Sequence, residues 1–201
     1  MQRKWRVSHG VGLNVREREK TTQLGHRKQE LDMRILSSQE GKLWLSANAD
    51  RVSEVDTASS LPFSVSYELP KDTGRKTMLA RCLAELLVNR ADESFLWITD
   101  WGAWPNLSNM DLFYGYRKSL GENRPLIEAP FHVFRQSDVE KFGSLLDLSL
   151  YFLWDSVLGA SGWDVAVSTS HDETIEIHTR QASEINEITS ALDGLELQQI
   201  R

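Results

Sequence analysis

The spacing of hydrophobic and polar residues changes several times after residue 33, and each change marks an expected element. "FSVSYEL" (63–69) alternates with a period of two, as a half-buried strand does. "SFLWIT" (94–99) is a nearly continuous apolar run of strand length, expected to be a central strand covered on both faces. "FHVF" (131–134) reads as a short strand. "MRILS" and "KLWLSA", separated by a polar turn with Gly41, suggest a hairpin; "WDVAVSTS" and "TIEIHT" suggest a second.

Between these runs the period lengthens. Met78, Leu79, Cys82, Leu83, Leu86 and Leu87 form one stripe of a helix over about 74–90, with Asp72 or Thr73 as its cap. Ser108 with Asp111 opens a short helix that Gly121 can end. Ser137 with Glu140 opens a long helix over about 138–158, apolar around most of its circumference, with Gly159 past its end. Ser183 caps a last amphipathic helix. The expected order is β-β-β-α-β-α-β-α-β-β-α. This is an α/β (α+β) fold, a single mixed sheet with helices packed on it. Residues 32–201 form that single domain, whereas residues 1–31 lack a sustained apolar period and read as a basic N-terminal arm. "MRILSS" resembles a first strand, so Met33 is an alternative start.

Composition narrows the function classes. No apolar run is long enough to span a membrane, and no 7–15-residue apolar stretch follows the basic N-terminus, so a secretory signal is not expected. Cys82 is the single cysteine and reads as a small buried hydrophobe; the expected location is the bacterial cytoplasm. Charge is unevenly placed. Residues 1–34 hold nine Lys/Arg against four Asp/Glu (+5), and the remainder holds fourteen against twenty-five (−11). An acidic body repels nucleic acid and anionic membrane and attracts a basic protein. Only the 1–31 arm offers a nucleic-acid reading.

Few motifs carry chemistry. "LPKDTGRKT" lies between a strand and a helix, but with Lys76 as the lysine of a phosphate loop the two glycine positions are Pro70 and Arg75. What survives is a helix N-terminus with Arg75 and Lys76, a weak anion site. His171, Asp172 and Glu173 are of metal-ligating type, yet they are consecutive at an expected hairpin tip, where side chains diverge. His178 shares a strand face with Glu176 and Thr174 and is expected to look outward. His132 reads as a strand histidine. If there is acid–base chemistry, Asp100, His132 and His171 are its candidates. Asp155, placed in the last turns of the long helix, opposes the helix dipole and calls for an arginine such as Arg117 or Arg124.

"FLWITDWGAWPN" (95–106) holds three of the seven tryptophans. Phe95–Thr99 is expected to be core. Gly102 and Pro105 turn the chain, and leaving Trp101 and Trp104 both in water would cost about 1.5–3 kcal/mol each, so at least one is packed. Taken in order, "WITDWGAWP", "GENRPLIEAPFHVF", "FLWDSVL" and "SHDE" resemble a family of uncharacterised bacterial proteins, over residues 95–173. That resemblance implies no activity. The small size and acidic body are also similar in style to immunity proteins that neutralise toxins. The expectation is a non-enzymatic, cytoplasmic protein–protein interaction module without cofactor or metal. It would bind a basic partner through Asp100, Trp101, Trp104, Asp147, Tyr151 and Asp155. The alternative is a small hydrolase or metal-dependent enzyme using Asp100, His132 and His171.

Overall fold

Alternation along the strands sorts their side chains onto two faces, and the two faces meet different neighbours. The computed structural model describes residues 33–48, 61–102 and 107–200. Among these the chain runs β1 (Arg34–Leu36), α1 (Ser38–Asn48), β2 (Phe63–Glu68), α2 (Thr73–Val88), β3 (Ser94–Asp100), α3 (Leu107–Ser119) and β4 (Phe131–Phe134). It continues through α4 (Val139–Tyr151), β5 (Asp155–Ala160), β6 (Val165–Ser170), β7 (Thr174–Thr179), α5 (Ala182–Leu192) and β8 (Gln199–Ile200). The strands make one sheet in the order β1-β4-β3-β5-β6-β7-β2-β8. Its pairings are antiparallel throughout rather than mixed, which makes the fold α+β. The arm at 1–31, the loop at 51–60 and Trp104 lie outside the described residues.

On one face, Leu96, Ile98, Leu158, Val167, Ile175 and Ile177 pack against α2, α4 and α5 through Leu83, Leu87, Phe142, Leu145 and Ile188. On the other, Phe95, Phe131 and Val133 pack against Trp44 and Leu45 of α1. β3 therefore contributes to both layers and is the central, two-sided strand expected of "SFLWIT". Trp97 points into the smaller layer and is only half-buried, beside Phe131 and under the Lys42 ammonium. Beyond β5, that same face carries Ser168, Glu176, Ser66 and Ser64 and is more polar, as an antiparallel sheet with one wet side permits.

Three expectations change. "KLWLSA" is part of helix α1, not a hairpin strand. Ser37 Oγ accepts from Glu40 N at 3.2 Å and Glu40 Oε2 accepts from Ser37 N at 2.8 Å, which is a capping box. Gly41 is a packing residue rather than a turn, because a Cβ there would fall 2.5 Å from the Phe131 ring.

The long helix ends at Tyr151 instead of 158. Leu153 takes a left-handed φ of 55°, and Trp154 N donates to Ser149 O at 3.0 Å, closing the helix end without glycine. Residues 155–160 then enter the sheet as β5 between β3 and β6, so the all-round apolar character belonged to a helix and a strand in succession. Finally, His178 is on the expected face but is buried, with Nε2 3.2 Å from Glu176 Oε2.

Caps shift in smaller ways. Asp72 caps α2 by accepting from Arg75 N at 2.9 Å, as expected. α3 begins at Leu107, ahead of Ser108, and Gly121 closes it with φ 89° while Glu122 N donates to Arg117 O. Gln181, not Ser183, precedes α5, its N–H donating to Glu184 Oε2 at 3.2 Å.

Candidate functional site at the acidic end of the sheet

Antiparallel order brings the end of β3, the start of β5 and the β6–β7 turn to one end of the sheet. A bulge between Ile98 and Asp100 sets Asp100 opposite Asp155. Bulges re-aim side chains at strand ends, and here two carboxylate-bearing residues become cross-strand neighbours. The β6–β7 turn spans three residues and closes with Glu173 N donating to Ser170 O at 3.1 Å and Glu173 at φ 59°. Glu173 is thus occupied by the turn, and its carbonyl accepts from Leu69 N.

The turn delivers His171 onto Asp155. Asp155 Oδ1 accepts from the His171 backbone N–H at 2.6 Å and from its Nδ1 at 2.8 Å. His171 Nε2 lies 3.8 Å from Asp172 Oδ1. The hydrogen bond to Asp155 is the first cause that raises the imidazole pKa above its ordinary 6.5; the charges of Asp155, Asp172 and Asp100 add to it. The group is three carboxylates around one imidazole, a net negative rim whether or not the imidazole carries a proton. Asp172 and Asp100 are exposed and Asp155 is partly covered.

His132 does not join them. It lies wholly inside the protein, Nδ1 3.3 Å from the Leu96 carbonyl, and burial followed by the neighbouring Arg117 charge pushes its pKa down to about 3. Asp100, His132 and His171 therefore do not converge. Among the described residues no group of three His, Cys, Asp or Glu side chains is placed to hold a metal ion, the His171–Asp172–Glu173 run included.

The expected binding residues separate in the same way. Asp100, Asp155 and half-buried Trp101 belong to the rim, with Trp101 packed against the larger core. Tyr151 is 53% exposed at the end of α4, its ring against Phe152 at 5.1 Å. Asp147 faces α2, accepting from Thr77 Oγ1 at 3.1 Å, and lines a cavity of about 60 Å³ between α2 and α4.

The arginines expected to compensate Asp155 are committed elsewhere, Arg124 to Glu122 and Arg117 to the Ala129 carbonyl, and His171 fills that role. Nor are Arg75 and Lys76 free at the α2 N-terminus. Arg75 pairs with Glu196 at 2.9 Å, and Lys76 is buried with Nζ donating to the Leu150 carbonyl in the last turn of α4 at 3.2 Å.

The His171–Asp155 pair gives a defined pH dependence. Because the folded pKa lies above 6.5, its stabilisation is complete below that value and is lost as pH rises through the raised folded value. Thermal melts between pH 6 and 9 should fall with pH, and His171→Gln should flatten that fall; an unchanged slope in the variant would detach it from this pair. No family model, curated protein or solved structure matches the chain, so the chemistry of this rim is read from its own geometry.

Proposed function

We propose that this protein is a non-enzymatic cytoplasmic interaction module, of immunity type, and that a basic protein docks on the acidic end of its sheet. The observation that supports this reading most is the placing of Asp100 beside Asp155 across the β3 bulge, with Asp172 and His171 on the adjoining turn. Carboxylates on a folded end, flanked by the half-buried ring of Trp101, combine charge complementarity with an apolar anchor. Among the described residues no helix is long and apolar enough to cross a membrane.

Affinity capture from the native host with mass spectrometry identifies the partner, and titration of that partner then tests the surface. Asp100→Asn combined with Asp172→Asn should slow association about tenfold at low salt, as loss of rim charges does. Added salt should slow the unsubstituted protein toward the same rate. Asp155→Asn is the contrasting arm, since it also loses the His171 bonds and should lower the melting temperature. Undiminished binding by the double variant, or a partner that is acidic, would remove this reading.

A further inference from the structure

The least satisfied polar groups of the core lie where α3 meets β4. Arg117 and His132 are both fully buried. Arg117 donates through Nη2 to the Ala129 carbonyl at 2.8 Å, but its Nε and Nη1 have no hydrogen-bond partner. His132 spends its Nδ1 proton on the Leu96 carbonyl, and its Nε2 is likewise without a partner. Phe113 joins the two: the Arg117 guanidinium lies 5.8 Å from its ring centroid and the imidazole meets it edge-on at 6.4 Å. The other side of the imidazole stacks on Phe134. A neutral ring is tolerated in such a place, whereas a second cation beside a buried guanidinium is not.

The other charges facing this pair do not relieve it. α3 contributes Tyr114 besides Arg117, and the turn after α3 contributes Glu122 and Arg124. Glu122 opposes the Arg117 charge, but its carboxylate is held by Arg124. β3 and the chain entering β4 present only the carbonyls of Leu96 and Pro130.

α3 is also more lightly fastened than α2. Among its described side chains Phe113 and Arg117 are fully buried and Met110, Tyr114 and Tyr116 are partly buried against the core, while α2 buries Leu79, Ala80, Leu83, Ala84 and Leu87 completely. Segments with few buried apolar contacts open first. We propose that α3 is an acid-released flap: a proton taken up by His132 against the buried Arg117 guanidinium undocks the helix and bares an aromatic seat of His132 and Trp154. Trp154 belongs to that seat because Phe113 stands edge-on against it at 4.9 Å. The conformational change is local, and the larger core beneath α2 and α4 stays packed.

Hydrogen exchange on the full chain at pH 7.5 and 4.5, corrected for the intrinsic rate, tests this. With an ordinary value of 6.5 for His132 in the open form and about 3 in the docked form, opening should gain tenfold per pH unit below 6.5. That is about 100-fold at pH 4.5, read in the amides of residues 110–119. Amides of α2 and α4 should keep their protection. His132→Gln, which keeps a polar side chain but takes no proton, should abolish the gain; His132→Phe gives the same reading if the glutamine variant folds poorly. Equal α3 protection at both pH values, a gain of the same size in a folded variant, or loss of protection in α2 and α4 together with α3 would each overturn the proposal.

Discussion

Phe131→Ala is expected to lower the unfolding free energy by about 3–5 kcal/mol, the usual cost of truncating a buried phenylalanine. The ring is completely buried and is the joint of the smaller layer. It stacks on Phe95 at 5.3 Å, meets Trp44 at 5.8 Å and Trp97 at 5.9 Å, and supports α1 directly beneath Gly41. Removing it opens a cavity at a place where helix and sheet are both held by rings. Half-buried Trp97 should cost less when truncated, because part of its surface already meets water. Denaturant titration of both variants checks the order. If Trp97→Ala proved the more damaging, the smaller layer would be organised around the wrong ring.

The second large effect comes from adding a single methyl group. At Gly159 a Cβ would fall 2.6 Å from Phe95 Cε1, and at Gly41 2.5 Å from Phe131 Cγ. The two rings are stacked with an interplanar angle of 9°, so neither can withdraw without disturbing the other. Gly159→Ala should therefore destabilise by about 1–3 kcal/mol, the range for overpacked cores. Gly41→Ala should cost somewhat less, since alanine recovers about 1 kcal/mol of helix propensity in α1. Gly115→Ala is the control: nothing lies within 4 Å of that position on α3, and the substitution should stabilise by about 1 kcal/mol. Melts of the three variants separate steric conflict from propensity. A harmless Gly159→Ala would mean that the rings yield more readily than their stacking implies.

How far the sequence could be read depended on whether the decisive contacts were local. β2, β6 and β7 were legible because alternation is written into the strand itself, β3 because its apolar run has strand length, and α2 because Asp72 and its apolar stripe lie within one segment. α1 carried a readable sign too: Ser37 and Glu40 have capping-box spacing, overshadowed by the apolar letters of "KLWL". The α4–β5 boundary carried none, because a leucine occupies the left-handed position where glycine is the usual mark.

The rim was legible only in pieces. Asp100 was visible as a strand end, but pairing Asp155 with His171 requires knowing that Asp155 begins a strand beside β6. The buried Arg117 was beyond reach for another reason: amphipathic patterning assigns every arginine to water.

Leu153 carries a consequence for the order in which the chain assembles. A left-handed leucine costs about 1–2 kcal/mol and finds no compensation in its own segment's propensities. What holds it there is β5 lodging between β3 and β6, with Leu158 set against Leu96 on one side and Val167 on the other. Before those strands arrive, the apolar run of residues 152–158 is compatible with continuing the helix. The turn at Leu153 thus depends in part on β3, a partner remote in sequence, and is expected to be fixed only once the β5–β6 hairpin pairs with β3.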